Sequence, residues 1–259
     1  MLTQDLLRLY KVNRLHELGQ NFIFNKNLCR KIISNIPEIQ KLRICEIGPG
    51  PGIFTSIIKE YGPKELLLFE KDKRLEPVLR EYNVIWGDYL KTKQTAELSE
   101  LPTWVIGNLP FNVSSAILIE TLKDMYFKKD LNPFGALFMF QKEVAERICA
   151  PVNNRNRNRL SLTSQLYSNV KYVCTVDKAV FSPIPKVDGA IVQFTQKNTQ
   201  DVPDFDSMAL FLRQLSLKPR KTLKLKPFES SRLHELSTDQ LVTLYNTHNR
   251  FTDIKATKN

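Results

Sequence analysis

Short apolar runs and helical segments alternate along the chain from residue 41, and this alternation constrains the fold more than any other feature. LRICEIG predicts a first strand, a glycine-rich turn follows, and IFTSIIKEYG predicts a helix that ends at Gly62. Further strands are predicted in ELLLFEKD, NVIWGD, LPTWVIGNLPF and FGALFMFQ, with helical segments between most of them. The pattern is typical of a parallel, doubly wound α/β sheet. KYVCTVD and AIVQFTQK predict final strands that run antiparallel to the rest.

The composition changes near residue 197. TQKNTQDVPDFD is polar and predicts a linker, and the chain after it is helical and basic. We therefore predict an α/β domain over residues 1–197, with a helical N-terminal extension, and a small basic helical domain over 198–259. Helices are predicted in LTQDLLRLY, NKNLCRKIISNI and RLSLTSQLYSNV. The amphipathic N-terminus indicates either the end of a transit peptide or a surface helix.

The charge balance favours an anionic partner. The chain has 38 Lys and Arg against 27 Asp and Glu, a net charge of +11, and basic clusters such as NNRNRNR. Clustered positive charge indicates nucleic acid more than a membrane surface. No run of about 18 apolar residues is present, so no transmembrane helix is expected. The four cysteines form no CxxC pair and the three histidines are scattered, so we expect reduced cysteines and no metal site.

The first predicted strand ends in the turn C-E-I-G-P-G-P-G. Gly48, Gly50 and Gly52 permit backbone angles and a close approach to a ligand that other residues prevent. The spacing is not that of a dinucleotide site, because Ile53 occupies the position of its third glycine, and the Lys-Ser/Thr pair of a nucleoside triphosphate loop is missing. An acid at position 46 suits a ligand with a positive end, such as the amino group of S-adenosylmethionine.

Acidic residues end the second and third predicted strands. Glu70 lies twenty residues after Gly50, where a carboxylate can accept hydrogen bonds from ribose hydroxyls. Asp88 ends the third strand, where it can accept from an adenine amino group. Either acid alone is more often a turn or surface residue. Together and in this order they indicate an adenosine-containing ligand, and S-adenosylmethionine is favoured over NAD.

The fourth predicted strand ends in Asn108-Leu109-Pro110-Phe111. The Asn108 side-chain oxygen and the Leu109 carbonyl can both accept hydrogen bonds from one exocyclic amine. Two such acceptors would orient a weakly nucleophilic adenine amine toward a methyl donor, and Phe111 would stack on a base that has left its helix. The alternative is a structural Asn-Pro turn with a core phenylalanine.

These motifs as a set resemble the small-subunit ribosomal RNA adenine dimethyltransferases. The resemblance covers residues 8 to 197 and is closest to the mitochondrial branch, whose members are also called mitochondrial transcription factor B. The blocks that carry it are ELGQNFI, EIGPGPG, LLLFEKD, GDYLK, GNLPFNVSSAIL, FQKEVAERI, RNRLSLTSQLYSNV and FSPIPKVDGAIVQF.

The resemblance implies a class I, Rossmann-like methyltransferase fold and roles for individual residues. Phe181 is implied to sandwich the target adenine opposite Phe111, in a catalytic set completed by Asn108, Leu109 and Pro110. Positions 23 and 111 depart mildly from the family, which often has leucine and tyrosine there. The S-adenosylmethionine contacts that we predict, of which Lys71 and Tyr89 are the weaker candidates, are Gln20, Asn21, Ile23, Gly48, Gly50, Glu70, Lys71, Asp88, Tyr89 and Asn108.

The implied activity is S-adenosylmethionine-dependent N6,N6-dimethylation of two adjacent adenosines, which supports biogenesis of the small ribosomal subunit. The implied substrate is a hairpin loop near the 3′ end of small-subunit rRNA, as naked RNA or in an assembling subunit. We expect a monomer, located in mitochondria by branch resemblance and otherwise in the cytoplasm. The rival function is a non-catalytic assembly or transcription factor that binds RNA or DNA. A DNA adenine methyltransferase is less favoured, because those enzymes usually have proline at the position of Leu109.

Basic residues toward the C-terminus are candidates for contacts with RNA phosphates, although many such residues are only solvated surface charges. The candidates are Arg155, Arg157, Arg159, Lys218, Arg220, Lys221, Lys224 and Lys226.

Overall fold

The computed structural model describes residues 21–93, 100–127, 135–197, 201–217 and 223–249. They form two compact units. The first contains the described residues up to Ala145 together with Lys171–Gln196, and the second contains Glu146–Val170 together with the described residues from Lys197 onward. Glu146–Val170 thus packs in the second unit. The predicted single boundary at residue 197 places this segment in the first domain instead. The helix predicted in LTQDLLRLY and the candidate Gln20 lie outside the described residues.

A seven-stranded sheet is the framework of the fold, and a separate two-stranded sheet pairs β1 with β8. The strands are β1 (Phe22–Ile23), β2 (Arg43–Ile47), β3 (Glu65–Glu70), β4 (Asn83–Trp86), β5 (Thr103–Asn108), β6 (Gly135–Gln141), β7 (Ser168–Val176), β8 (Phe181–Ser182) and β9 (Gly189–Gln196). The order across the large sheet is β4-β3-β2-β5-β6-β9-β7. Strands β2 to β6 run parallel and β9 pairs antiparallel with β6, which confirms the predicted α/β class and the antiparallel strand in AIVQFTQK.

The helices of the described residues connect these strands and build much of the second unit. They are α1 (Lys26–Ile33), α2 (Ile53–Tyr61), α3 (Glu76–Leu79), α4 (Tyr89–Thr92), α5 (Ser114–Phe127), α6 (Lys142–Ile148), α7 (Arg159–Tyr167), α8 (Phe205–Leu215) and α9 (Thr238–Asn249). The predicted end of α2 at Gly62 is confirmed, since Gly62 has the left-handed φ of +66° that ends many helices. The helix predicted through Val170 is wrong over its last three residues, because Ser168 turns to extended angles and begins β7.

The large core of the first unit lies between one face of the sheet and helices α1 and α2. Ile33 of α1, Ile57 of α2 and Trp104 and Ile106 of β5 are all buried in it. Side chains two residues apart point to the same face of a strand, so Asn108 follows Trp104 and Ile106 on this face. The same alternation that builds the core therefore places an amide at its edge. No helix among the described residues is long and apolar enough to cross a membrane.

The second unit buries one of the arginines that the sequence assigns to RNA. Arg157 is 4% exposed, its Nε donates to Gln165 Oε1 at 3.0 Å, and its Nη1 donates to the Leu236 carbonyl. Burial lowers the pKa of Arg157 to about 10. The prediction that Arg157 contacts RNA phosphates is therefore wrong for this conformation, because its guanidinium joins two segments of the unit. Arg155 and Arg159 are exposed, as predicted for phosphate contacts.

Two other candidates for phosphate contact are described. Lys224 and Lys226 are both exposed. The remaining three candidates, Lys218, Arg220 and Lys221, lie outside the described residues. Exposure keeps the four described surface cations available to an anionic partner, and contact with RNA stays a prediction for each of them.

Candidate active site

The strand order reverses beside β2, because β3 and β4 lie on one side of it and β5 on the other. In open α/β sheets this reversal opens a crevice at the carboxyl ends of the two flanking strands. Gly48 directly follows β2 and Asn108 ends β5. The fold thus brings the glycine turn and the Asn-Leu-Pro-Phe segment to the same edge of the sheet.

Three glycines of the turn have positive φ angles, +67° at Gly48, +56° at Gly50 and +79° at Gly52. A side chain on Gly48 would meet no atom within 4 Å, so one face of the turn is open. A Cβ on Gly50 would lie 2.8 Å from Phe22 Cδ1 and nearer still to Cε1. The turn therefore has one face free for a ligand and one face covered by an aromatic ring.

Phe22 was not among the predicted site residues. It lies in β1 and is 7% exposed, with its ring on the glycine turn. The sequence does contain a signal for it, since Phe22 lies in the QNFI block between the predicted cofactor contacts Asn21 and Ile23. What the sequence does not contain is the direction of the ring, which depends on a contact with a turn almost thirty residues away.

Glu70 braces the glycine turn from the end of β3. Its Oε2 accepts from Gly50 N at 3.1 Å and its Oε1 accepts from Asp72 N at 2.8 Å. Burial raises the pKa of this carboxyl, and the backbone N–H donors of Asp72 and Gly50 act in the opposite direction. The Lys71 backbone N–H is a further donor to this carboxyl. A carboxylate has about four lone-pair sites, so capacity remains for a ribose hydroxyl, the partner that we predict. The fixed orientation suits that role, which stays a prediction.

Asp88 caps helix α4, because its Oδ1 accepts from Leu90 N at 3.1 Å. The exposed Lys71 ammonium lies 3.8 Å from Asp88 Oδ2, so both predicted contacts are near each other at the ends of β3 and β4. Tyr89 is placed differently. Its ring packs edge-on against Phe69 with centroids 5.0 Å apart, and burial raises the pKa of its hydroxyl. That placement does not support the predicted contact between its side chain and a cofactor.

Glu46 lies behind the site rather than at its mouth. Its Oε2 accepts from Thr55 Oγ1 at 2.7 Å, and burial raises the pKa of Glu46 to about 8, with the nearby Glu70 adding to the rise. The carboxyl borders a small inner cavity that Asn108 also lines, together with apolar side chains of the core. An interior carboxyl bonded to Thr55 does not match the predicted contact with the positive end of a ligand.

A small pocket at the sheet edge collects most of the predicted catalytic residues. Within it, Asn108 Nδ2 donates to the Asn21 carbonyl at 2.6 Å. Phe111 is partly exposed, and the turn that carries it is fixed because Ser114 Oγ donates to the Phe111 carbonyl at 3.1 Å. The pocket is lined by Asn21, Phe22, Gly48, Asn108, Leu109, Pro110 and Phe111.

Phe181 does not line this pocket. It pairs with Ile23 through the β1–β8 ladder, is 3% exposed and belongs to the large core. A Cβ on Gly189 would lie 3.2 Å from Phe181 Cζ, so the ring is enclosed by neighbouring chain. Strand pairing turns Phe181 inward, which does not support the predicted sandwich with Phe111, and the sandwich stays a prediction.

The remaining polar groups fit S-adenosylmethionine. The open face at Gly48, the oriented carboxylate of Glu70 and the acid of Asp88 follow one another along three adjacent strand ends. An amide and an aromatic ring stand beside them in the pocket. The sheet, the crevice and these side chains together are typical of a class I, S-adenosylmethionine-dependent methyltransferase.

The chain is similar to known proteins of one family. The model of the family described as ribosomal RNA adenine dimethylase matches residues 12–248. The protein belongs to this family, as the resemblance in the sequence predicted. The small-subunit rRNA methyltransferase A of Mesoplasma florum is 34% identical over 229 residues, covering 82% of this chain and 83% of the relative. The mitochondrial dimethyladenosine transferase 1 of Xenopus laevis is 34% identical over 212 residues, covering 74% of this chain but only 62% of the relative.

Solved structures support the fold. A dimethyladenosine transferase from Plasmodium falciparum has a TM-score of 0.73 at 22% identity and covers 88% of this chain and 98% of its own. The 23S rRNA methyltransferase ErmE has a TM-score of 0.66 at 18% identity and covers 88% of this chain and all of its own. The predicted Rossmann-like methyltransferase fold is thus confirmed.

Proposed function

We propose that this protein dimethylates the N6 amines of two adjacent adenosines in small-subunit rRNA, with S-adenosylmethionine as the methyl donor. The observation that carries the proposal is the Asn108 amide. It ends β5 at the crevice, is held at 2.6 Å by the Asn21 carbonyl and shares a pocket with Gly48 and Phe111. An acceptor, an aromatic ring and an open glycine turn meet there, which is what an extruded adenine and a methyl donor require.

Asn108 and Leu109 would act on the target amine directly. With its Nδ2 bonded to Asn21, the amide of Asn108 keeps its Oδ1 for one N–H of the amine, and the Leu109 carbonyl is available to accept the other. Two accepted bonds hold the nitrogen with its lone pair directed away from the ring plane. This positioning would supply most of the rate of an in-line transfer, in which the methyl group passes from sulfur to the amine nitrogen and S-adenosylhomocysteine leaves. The aminium proton is acidic and would leave without a dedicated base.

Phe111 would hold the base. It is partly exposed at the pocket and its backbone is fixed by Ser114, so its ring can lie against one face of an unstacked adenine. Leu109, in contrast, is buried beside Gly107, where an added Cβ would lie 2.7 Å from Leu109 Cδ2. The leucine side chain thus fixes the turn, while its carbonyl and the neighbouring ring face the substrate.

Three strand ends would hold S-adenosylmethionine, which supplies an electrophilic methyl group when bound. The turn at Gly48 and Gly50 would allow a close approach of the ligand, Glu70 would accept from the ribose, and Asp88, with Lys71 beside it, would accept from the adenine amino group. Asn21 borders the same edge, whereas Ile23 is buried in the large core, and its contact with the cofactor stays a prediction. The support is the position of Gly48, Glu70 and Asp88 at the ends of three adjacent strands and the family to which the chain belongs.

The exact RNA substrate and the compartment are proposed from similarity to the relatives named above. The 3′-terminal hairpin, as naked RNA or in an assembling subunit, is the proposed substrate, and the basic helical part after residue 197 is proposed to assist its binding. A monomer is proposed, in which this chain alone supplies the site. The mitochondrial matrix is the proposed compartment, supported by relatives such as the Xenopus laevis protein, although bacterial relatives are equally similar. Microscopy of the tagged protein in its own cells tests the compartment.

The activity is tested with purified protein, S-adenosylmethionine and a synthetic small-subunit hairpin. We expect N6,N6-dimethyladenosine in nucleosides analysed by mass spectrometry, and no methylation of a DNA oligonucleotide of the same sequence. Asn108→Ala should lower the rate at least about 100-fold, because the amine loses its orientation. Hairpin binding without any methylated product, together with no S-adenosylmethionine binding in calorimetry, would instead favour the non-catalytic factor.

A further inference from the structure

The segment Asn21–Ile23 contacts two separate parts of the site and pairs with β8. The Asn21 carbonyl accepts from Asn108 Nδ2 at 2.6 Å. The Phe22 ring lies on Gly50, as close as the missing side chain of that glycine allows. Phe22 pairs with Ser182 and Ile23 with Phe181 in the β1–β8 ladder. A segment of three residues thus joins the methyl-acceptor side of the pocket to the glycine turn.

The bond from Asn108 decides which atom of its amide faces the target. An amide presents one acceptor and one two-proton donor, and the adenine amine needs acceptors. Because Nδ2 is committed to the Asn21 carbonyl, Oδ1 is left for the amine, and no bond joins it to another described residue. A flipped amide would set Oδ1 against the Asn21 carbonyl, two acceptors facing each other, and would direct N–H groups at the amine. The backbone of Asn21 therefore selects the productive orientation.

The position of the Asn21 carbonyl depends in turn on Phe22. The Asn21 carbonyl belongs to the peptide bond that joins Asn21 to Phe22, and Phe22 is 7% exposed with its ring seated on the turn. The ladder to Ser182 fixes the backbone of Phe22 from the other side. Removing the ring would leave space above Gly50 and free the segment to move by fractions of an ångström, which is enough to lengthen a bond of 2.6 Å.

We infer that Phe22 is a positioning residue for methyl transfer: its ring, anchored on the glycine turn, holds the Asn21 carbonyl against Asn108 and so keeps Oδ1 toward the target amine. The inference rests on the proposed function and adds a residue to it. It has a further consequence, because the turn under the ring is the proposed cofactor site. Occupation of that site and orientation of the amine acceptor are then mechanically linked through one side chain.

A double-mutant cycle tests the inference. Phe22→Ala removes the anchor, and Asn108→Asp removes the donor to Asn21 while keeping oxygens that can accept from an amine. We expect each variant to lower the single-turnover rate on the hairpin. Phe22→Ala should lose up to about 100-fold, the loss that a misplacement near 1 Å causes. If Phe22 acts through the Asn108–Asn21 bond, the double variant should be no slower than the slower single variant. The inference would be overturned if the rate loss of the double variant equalled the product of the two single losses. A normal rate in Phe22→Ala would overturn it too.

Controls separate positioning from loss of folding. Phe205→Leu alters a buried ring of the second unit and should lower the melting temperature. Its effect on the rate should be independent of Asn108→Asp, so that the loss in the double variant equals the product of the two single losses. Phe22→Leu keeps an apolar side chain on the turn and should recover part of the rate. If Phe22→Ala does not fold, the same cycle is run with Phe22→Leu, where multiplying losses again contradict the inference. A wild-type protein that transfers no methyl group would refute the proposed function itself, whereas an active wild type with multiplying losses refutes only the role of Phe22.

Discussion

Gly48 and Gly50 have similar backbone angles but different surroundings, and this difference yields a prediction. Alanine at either position carries the strain of a positive φ, roughly 1–2 kcal/mol. Only Gly50→Ala also places a methyl group against Phe22, which adds overpacking of about 1–3 kcal/mol. We expect Gly50→Ala to unfold at a lower urea concentration than Gly48→Ala. Gly62→Ala, strained but open and far from the site, is the matched control, and equal losses at all three glycines would contradict the contact.

Glu46 gives the protein a pH dependence that runs against the usual behaviour of an acid. Its pKa is about 8 in the folded protein and near 4.5 when unfolded, so the folded state binds the extra proton between these values. The contribution of Glu46 to stability is therefore full below pH 4.5 and is lost as the pH rises toward and through 8. Between about pH 5 and about pH 8, the free energy of unfolding measured in urea should fall more for the wild type than for Glu46→Gln. Identical falls would show that Glu46 titrates normally.

The sequence predicted the positions of polar groups at the sheet edge better than the directions of the neighbouring side chains. The glycine turn, Glu70, Asp88 and Asn108 could be predicted because each follows an apolar run, and parallel strands end at one edge. The directions of Phe22 and Glu46 could not, since they depend on contacts with Gly50 and Thr55 that no local pattern contains. Whether a side chain beside a motif faces ligand or core is decided by tertiary packing.

At the scale of elements, strand pairing separates two phenylalanines to which the family resemblance gives one task. Phe181 is buried by the β1–β8 ladder, and Phe111 is partly exposed in the turn after β5. Phe181→Ala should cost about 3–5 kcal/mol of unfolding free energy, as large core truncations do. Phe111→Ala should leave stability nearly unchanged and weaken hairpin binding or turnover, since stacking on a base contributes about 1–3 kcal/mol. Denaturant unfolding and methylation assays of both variants check this. A Phe181→Ala variant that stays stable but loses hairpin binding or turnover would support the predicted adenine sandwich.

Helices and strands with clear boundaries were predictable from local chemistry. Gly62 ended α2 as expected, because a left-handed residue both stops a helix and suits glycine. The end of α7 was missed, since Ser168, Asn169 and Val170 join a strand through pairing that propensity does not encode. A two-residue strand such as β1 has no pattern of its own, yet it carries the segment that orders the pocket.

At the scale of the whole molecule, the chain enters the second unit twice, at Glu146–Val170 and again from Lys197. The compositional change near residue 197 marks only the second entry, because the first lies in a helical segment of ordinary composition. A truncation after residue 197 tests the predicted division into domains. It removes the Leu236 carbonyl and leaves the buried guanidinium of Arg157 without that acceptor. We expect the truncated chain to unfold more easily than the full chain, and an unchanged unfolding midpoint would support a boundary at 197.

The net charge of +11 can assist RNA binding only where its cations are exposed, and the second unit contains both cases in the short segment 155–159. Arg155 and Arg159 are exposed, whereas Arg157 is buried among acceptors. Removing one cation that neutralises a phosphate lowers the slope of log binding constant against log salt by about 0.7 for a single strand. Arg155→Gln with Arg159→Gln should therefore weaken hairpin binding, flatten its salt dependence by up to twice that amount and leave stability unchanged. Arg157→Gln is the internal control: it should lower the melting temperature while keeping the salt slope of the folded fraction, and a flattened slope there would show that this guanidinium reaches RNA after all.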